Sequence, residues 1–145
     1  MAGRELGNLC EGITFSFVAG DWQELRGLSV EVSEVLYVPT LEAPEDKPHP
    51  FVYFINVIND SDELVTLHGR KWFVREHNGE LTVLEGQGIV GQHPTMPSKD
   101  RFSYNSYHVL AGSGTAWGAF YGLTESGVRV VTKIPEFGMA VPGWV

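Results

Sequence analysis

At 145 residues the chain has the length of one domain, and its 43% hydrophobic and 12% aromatic content argues for a packed core and against disorder. A formal charge of −8 excludes the basic surface that nonspecific binding to nucleic acid or an anionic membrane requires. Cys10 is the single cysteine, which excludes an internal disulfide and a CxxC metal site and fits a reducing compartment. With no basic leader and no long apolar run, the expected location is the cytoplasm.

In chain order, residues 1–26 read as an N-terminal extension and residues 27–145 as the main domain. Ile13 to Val18 alternates weakly, as a strand does. Asp21, the run Trp22 to Arg26 and Gly27 read as an N-cap, one helical turn and a C-terminal glycine. From Leu28 the hydrophobic period is two: Leu28, Val30 and Val32 share one face, and the phase shift to Val35 and Tyr37 predicts a bulge near Ser33-Glu34. Pro39 to Pro50, rich in proline and charge, is a surface loop. Phe51 to Ile58 is the most apolar strand and is expected at the centre of a sheet.

Leu64 to Glu76 and Leu81 to Glu85 flank Asn78-Gly79, a dipeptide that favours a two-residue type I′ turn. That turn places Phe73 opposite Leu84, Lys71 opposite Gly86 and Arg70 opposite Gln87. Strands over Arg101–Val109, Thr115–Thr124 and Val128–Ile134 complete a set of about seven, separated by turns. The fold class is therefore all-β, an antiparallel β-sandwich. Trp72, set in an apolar strand, is expected in its core.

Gly86-Gln87-Gly88-Ile89-Val90-Gly91 matches a G-x-G-x-x-G pattern, whose cofactor-binding form opens a helix that receives a pyrophosphate. Pro94 and Pro97 fall where that helix should propagate, and proline there costs about 3 kcal/mol. The glycines therefore belong to an irregular loop between strands, and no nucleotide cofactor is expected. Glycine-loop amides facing Arg70 and Lys71, with His93 beside them, make a candidate anion site of Arg70, Lys71, Gly86, Gly88, Gly91 and His93. The competing reading has Arg70 paired to a carboxylate such as Glu85 and the glycines merely permitting a bend. The five histidines are dispersed without ligand spacing, so no metal site is expected, and no catalytic constellation is identified.

The chain also resembles the ApaG domain family. The resemblance rests on Arg70-Lys71-Trp72, Asn78-Gly79, the loop Gly86 to Pro94, Phe102-Ser103-Tyr104-Asn105-Ser106, Gly114-Thr115 with Gly118, and Ile134-Pro135-Glu136-Phe137. It covers residues 28–142. Lys71 stands where the family has histidine, His93 where it has glutamine, and Ala116 where it has methionine. The resemblance implies an immunoglobulin or fibronectin-III-like sandwich. It also implies a link to divalent-cation tolerance, notably cobalt and magnesium, in bacterial relatives, and binding-module use in eukaryotic fusions to F-box and polymerase-interacting proteins. No catalytic residues are established for the family. The expected function is a non-enzymatic binding module with a protein partner, the alternative being a small phosphate or pyrophosphate-binding protein or polyphosphate hydrolase using the glycine loop. Edge strands in such folds also leave a homodimer open.

Overall fold

The computed structural model describes residues 22–145. The strand expected at 13–18 and the N-cap expected at Asp21 lie outside them. Among the described residues nine strands follow in chain order: β1 (Gln23–Glu24), β2 (Leu28–Tyr37), β3 (His49–Asn59), β4 (Val65–Glu76), β5 (Leu81–Gln87), β6 (Thr95–Met96), β7 (Asp100–Leu110), β8 (Gly114–Thr124) and β9 (Arg129–Met139). The larger sheet runs β1-β9-β8-β4-β5, with β6 also pairing β4, and the smaller runs β2-β3-β7. The protein is an all-β sandwich, consistent with the immunoglobulin or fibronectin-III type. Every pairing is antiparallel except β1 with β9.

Alternation builds the core between the sheets. Along β3, Phe51, Tyr53, Ile55 and Val57 are buried on the face that meets the larger sheet. Leu67, Trp72 and Val74 of β4, Phe120 of β8, and Val130 and Ile134 of β9 answer from the other side. Trp72 is 2% exposed and packs its ring against Tyr53, His108 and Phe137, so the core role expected for it holds. β3 is the central strand of its sheet, as its apolar run predicts, and the bulge in β2 falls between Val32 and Glu34.

Two local expectations fail. The helical turn expected at 22–26 is instead β1, in register with Val130 and Val131 of β9. A five-residue helix cannot hold itself in water, whereas the β9 edge supplies ready backbone partners. Trp22 settles edge-on against Tyr121, with ring centroids 5.0 Å apart.

The hairpin between β4 and β5 is also one residue out from the expected register. His77, Asn78 and Gly79 form a three-residue loop, with Gly79 N–H donating to Glu76 O at 2.9 Å and Glu76 N–H to Glu80 O at 2.9 Å. Only Gly79 in that loop has positive φ, at 94°. His77 N–H donates to Ser113 O at 2.9 Å, which draws it out of the ladder. Phe73 consequently faces Val83, Trp72 faces Leu84, Lys71 faces Glu85 and Arg70 faces Gly86. Because side chains alternate, a one-residue slip exchanges the two faces of β5. Leu84 joins Trp72 on the inner face, and Val83 joins Phe73 outside.

Candidate functional site

Arg70 and Lys71 are neighbours in sequence and therefore project to opposite faces of β4. Lys71 lies on the outer face, 5.3 Å from the Phe73 ring centroid, with Nζ 4.0 Å from the Glu85 carboxylate across the strand pair. The carboxylate partner suggested for Arg70 thus belongs to Lys71. Arg70 sits opposite the fully buried Phe120 and points inward, where its charge opposes the upward pull of burial on the Tyr53 and Tyr104 hydroxyls. The structure does not bring the two basic residues together.

Arg70 instead clamps the glycine loop. Its Nη1 donates to Gln87 O at 2.8 Å and to Gly88 O at 3.0 Å. The guanidinium lies directly over Gly86, where an added Cβ would come within 2.8 to 2.9 Å of it. Gly86 is thus glycine because Arg70 occupies the space of a side chain.

Beyond Gly86 the loop is a compact hook. Gly88 has φ of 74°, and a Cβ there would lie 2.8 Å from Gln92 O. Its N–H donates to His68 O at 2.6 Å. Ile89 is fully buried and exchanges hydrogen bonds with Gln92, at 2.7 and 3.0 Å. Val90 and Gly91 both have positive φ, 44° and 79°, the signature of a type I′ turn. Valine is an outlier in that region because its branched Cβ crowds the backbone. Pro94 O accepts from Leu67 N–H at 3.0 Å and returns the chain to β4.

This geometry limits the anion reading. The Gly88 amide is spent on His68 O of β4, those of Ile89 and Gln92 on each other's carbonyls inside the hook, and one Arg70 nitrogen holds the Gln87 and Gly88 carbonyls. Sequence reasoning missed His68, which the β4 bulge between Leu67 and Gly69 turns toward His93 with ring centroids 5.6 Å apart. Burial, and secondarily the neighbouring His93 charge, push the His68 imidazole below its ordinary pKa. The pair was invisible because twenty-four intervening residues hide the contact and no spacing motif marks it. Arg70, Gly86, Gly88, Gly91 and His93 do gather around one loop; Lys71 does not.

A second feature lies along the same hairpin. Among the described residues the smaller sheet ends at β7 and the larger at β5, and Leu84 on the inner face of β5 is 45% exposed. A cavity of about 260 Å³ opens there, walled by Val74, Thr82, Leu84, Tyr107, His108 and Val109, with Lys47 and Glu76 at one end. His108 packs between Tyr53 and Trp72, and burial holds its pKa down to about 4, so the imidazole is neutral at physiological pH. Glu76, also buried, accepts from Ala111 N–H at 2.9 Å and from Lys47 Nζ at 2.6 Å. Leu81, Val83 and Leu84 are 43%, 45% and 45% exposed, an unusual apolar content for a sheet edge.

A model of the ApaG domain matches residues 39–123, which include the hairpin, the hook and the cavity walls. The chain belongs to the ApaG domain family. Protein ApaG of Shewanella sp. (strain MR-7) is 33% identical over 108 residues, covering 74% of this chain and 86% of the relative. Protein ApaG of Shewanella oneidensis is 33% identical over 122 residues, covering 81% and 94%. In three dimensions, the crystal structure of the putative ApaA protein from Bordetella pertussis superposes with a TM-score of 0.73 at 26% identity, over 83% of this chain and 98% of that one. The ApaG match carries the family and the fold; the site's chemistry has to be read from these residues.

Proposed function

We propose that this ApaG-domain chain is a non-enzymatic, cytoplasmic binding module that takes a protein partner along β5 and the adjoining hook. The observation that carries this reading is the apolar edge of β5. Leu81 and Val83 leave more than two fifths of their surface to water on one face, and Leu84 does so on the other. A sheet edge of that composition is an association hazard unless something covers it. The hook beside it is rigid, pinned by Arg70 from within and anchored by Ile89, so it offers a preformed surface at little ordering entropy. In this reading, the cation tolerance implied by the family resemblance is carried by the partner and not by an ion held in the sandwich.

The alternative, a phosphate or pyrophosphate site in the hook, keeps Arg70 and His93 and gains His68 beside them, but loses Lys71 to the far face. It also loses three loop amides to internal bonds. The module reading is therefore the stronger.

The test is quantitative co-purification with the tagged full chain, its Leu81→Lys/Val83→Lys double variant, and Val128→Lys as a control at an exposed residue off the edge. A partner retained by the full chain and the control but lost by the double variant is expected. The same proteins recovered at the same levels with all three would sink the proposal.

A further inference from the structure

Three independent features converge on β5. The first is its backbone. Glu76 N–H to Glu80 O at one end and Gly88 N–H to His68 O at the other mark hydrogen-bonded pairs in the ladder with β4. Antiparallel pairs alternate, so the N–H and C=O groups of Leu81, Val83 and Glu85 point away from β4. Among the described residues no strand lies on that side. The second is the cavity beneath the strand, which has room for one bulky side chain and whose imidazole wall is uncharged. His108 Nε2 is buried there without a hydrogen-bond partner among the described residues.

The third is charge. The stretches 42–47 and 76–80, which meet at the cavity mouth, carry Glu42, Glu45, Asp46, Glu76 and Glu80 against Lys47 alone. Lys47 Nζ reaches both Glu76, at 2.6 Å, and Glu80, at 3.3 Å. Tyr107 ties Glu42 to the same rim through a 3.0 Å bond to its carbonyl oxygen. Glu42, Glu45, Asp46 and Glu80 stay exposed.

We infer that β5 receives an extended basic segment of the partner protein, which adds as a further strand of the larger sheet and seats one apolar side chain in the cavity between β5 and β7. Backbone pairing supplies the affinity of such an addition, and alternate side-chain pockets supply its selectivity. Lysines or arginines on the segment meet the acidic rim, which also steers the encounter of a cation with a chain of net charge −8. The inference rests on the module reading and specifies its partner's chemistry.

The test uses a fluorescein-labelled nine-residue peptide alternating lysine with valine, with one central phenylalanine, titrated into the full chain. Saturable binding is expected, with amide NMR shifts centred on residues 81–87. Val83→Pro removes an outward-facing donor without touching a bond to β4, and Leu84→Asp puts a charge at the cavity. Each is expected to weaken binding at least tenfold while the thermal midpoint confirms folding. Glu80→Lys should weaken it several-fold, and the peptide with glutamate in place of lysine should not bind. Absence of binding by the lysine peptide, equal binding by Val83→Pro and Leu84→Asp, or shifts away from β5 each overturns strand addition. So does self-association of the chain that Val83→Pro abolishes, since a second copy then owns the edge. A partner that co-purifies with the full chain and with Val83→Pro, but not with the Leu81→Lys/Val83→Lys variant, leaves the module reading standing while strand addition fails.

Discussion

Two turns bracket β5, and they reverse the rule that local sequence selects turn geometry. At the first, Asn78-Gly79 is the dipeptide most suited to a two-residue type I′ turn, yet the chain makes a three-residue loop with only Gly79 left-handed. At the second, Val90-Gly91 has a residue ill suited to positive φ, and the type I′ turn forms there. The difference lies in what each turn is attached to. His77 is held by a bond to Ser113 from the neighbouring loop, and that contact sets the loop length. Val90 sits between Ile89, sunk in the core, and Gln92, whose carbonyl faces Gly88. Tertiary contacts override dipeptide preference wherever they outweigh the local backbone strain, which is on the order of 1–3 kcal/mol for a non-glycine residue in the left-handed region.

The comparison breaks most visibly at the anchor. Ile89→Ala removes a fully buried side chain from the base of the second turn and should destabilise the protein by about 3 kcal/mol. Denaturant unfolding checks this through a lowered midpoint at unchanged slope. A shift below about 1 kcal/mol would mean that the hook holds its shape without Ile89.

The clamp comes next. Arg70→Ala deletes two charge-assisted bonds to loop carbonyls on the inner face, and a loss of about 2 kcal/mol is expected. An anion-site arginine standing free in the loop would leave stability nearly unchanged on removal, so thermal unfolding separates the two roles. Gly86→Ala should act in the same direction, because the new methyl group displaces the guanidinium.

How far the sequence could carry this reading depends on where each constraint originates. Alternation over Leu28–Tyr37 and Phe51–Ile58 exposes both strands and the β2 bulge, since burial on one face is written directly into residue order. β1 and β6, two residues each, borrow their partners from distant strands and have no period of their own to detect. The hairpin register turned on the His77 to Ser113 bond, a contact across thirty-six positions that no local pattern encodes. For the site, the glycine loop was legible as an irregular connection because Pro94 and Pro97 forbid a helix. The separation of Arg70 from Lys71 follows from strand alternation alone. The His68–His93 contact and the cavity beneath Leu84 arise only when the sheets are stacked.

The smallest effect sharpens the comparison best, because it asks what local preference contributes once tertiary contacts have fixed the turn. Val90 is 48% exposed, so replacing it forfeits little buried area, while its φ of 44° stores strain that asparagine tolerates. Val90→Asn should therefore stabilise the protein by about 1 kcal/mol, seen as a raised thermal midpoint. Strain of this kind persists only where the surroundings impose it, which makes the hook's tip a position to test for contact. If Val90→Asn gains stability and also loses the co-purifying partner, the hook's tip belongs to the docking surface. If it gains stability and keeps the partner, the contact surface ends at β5.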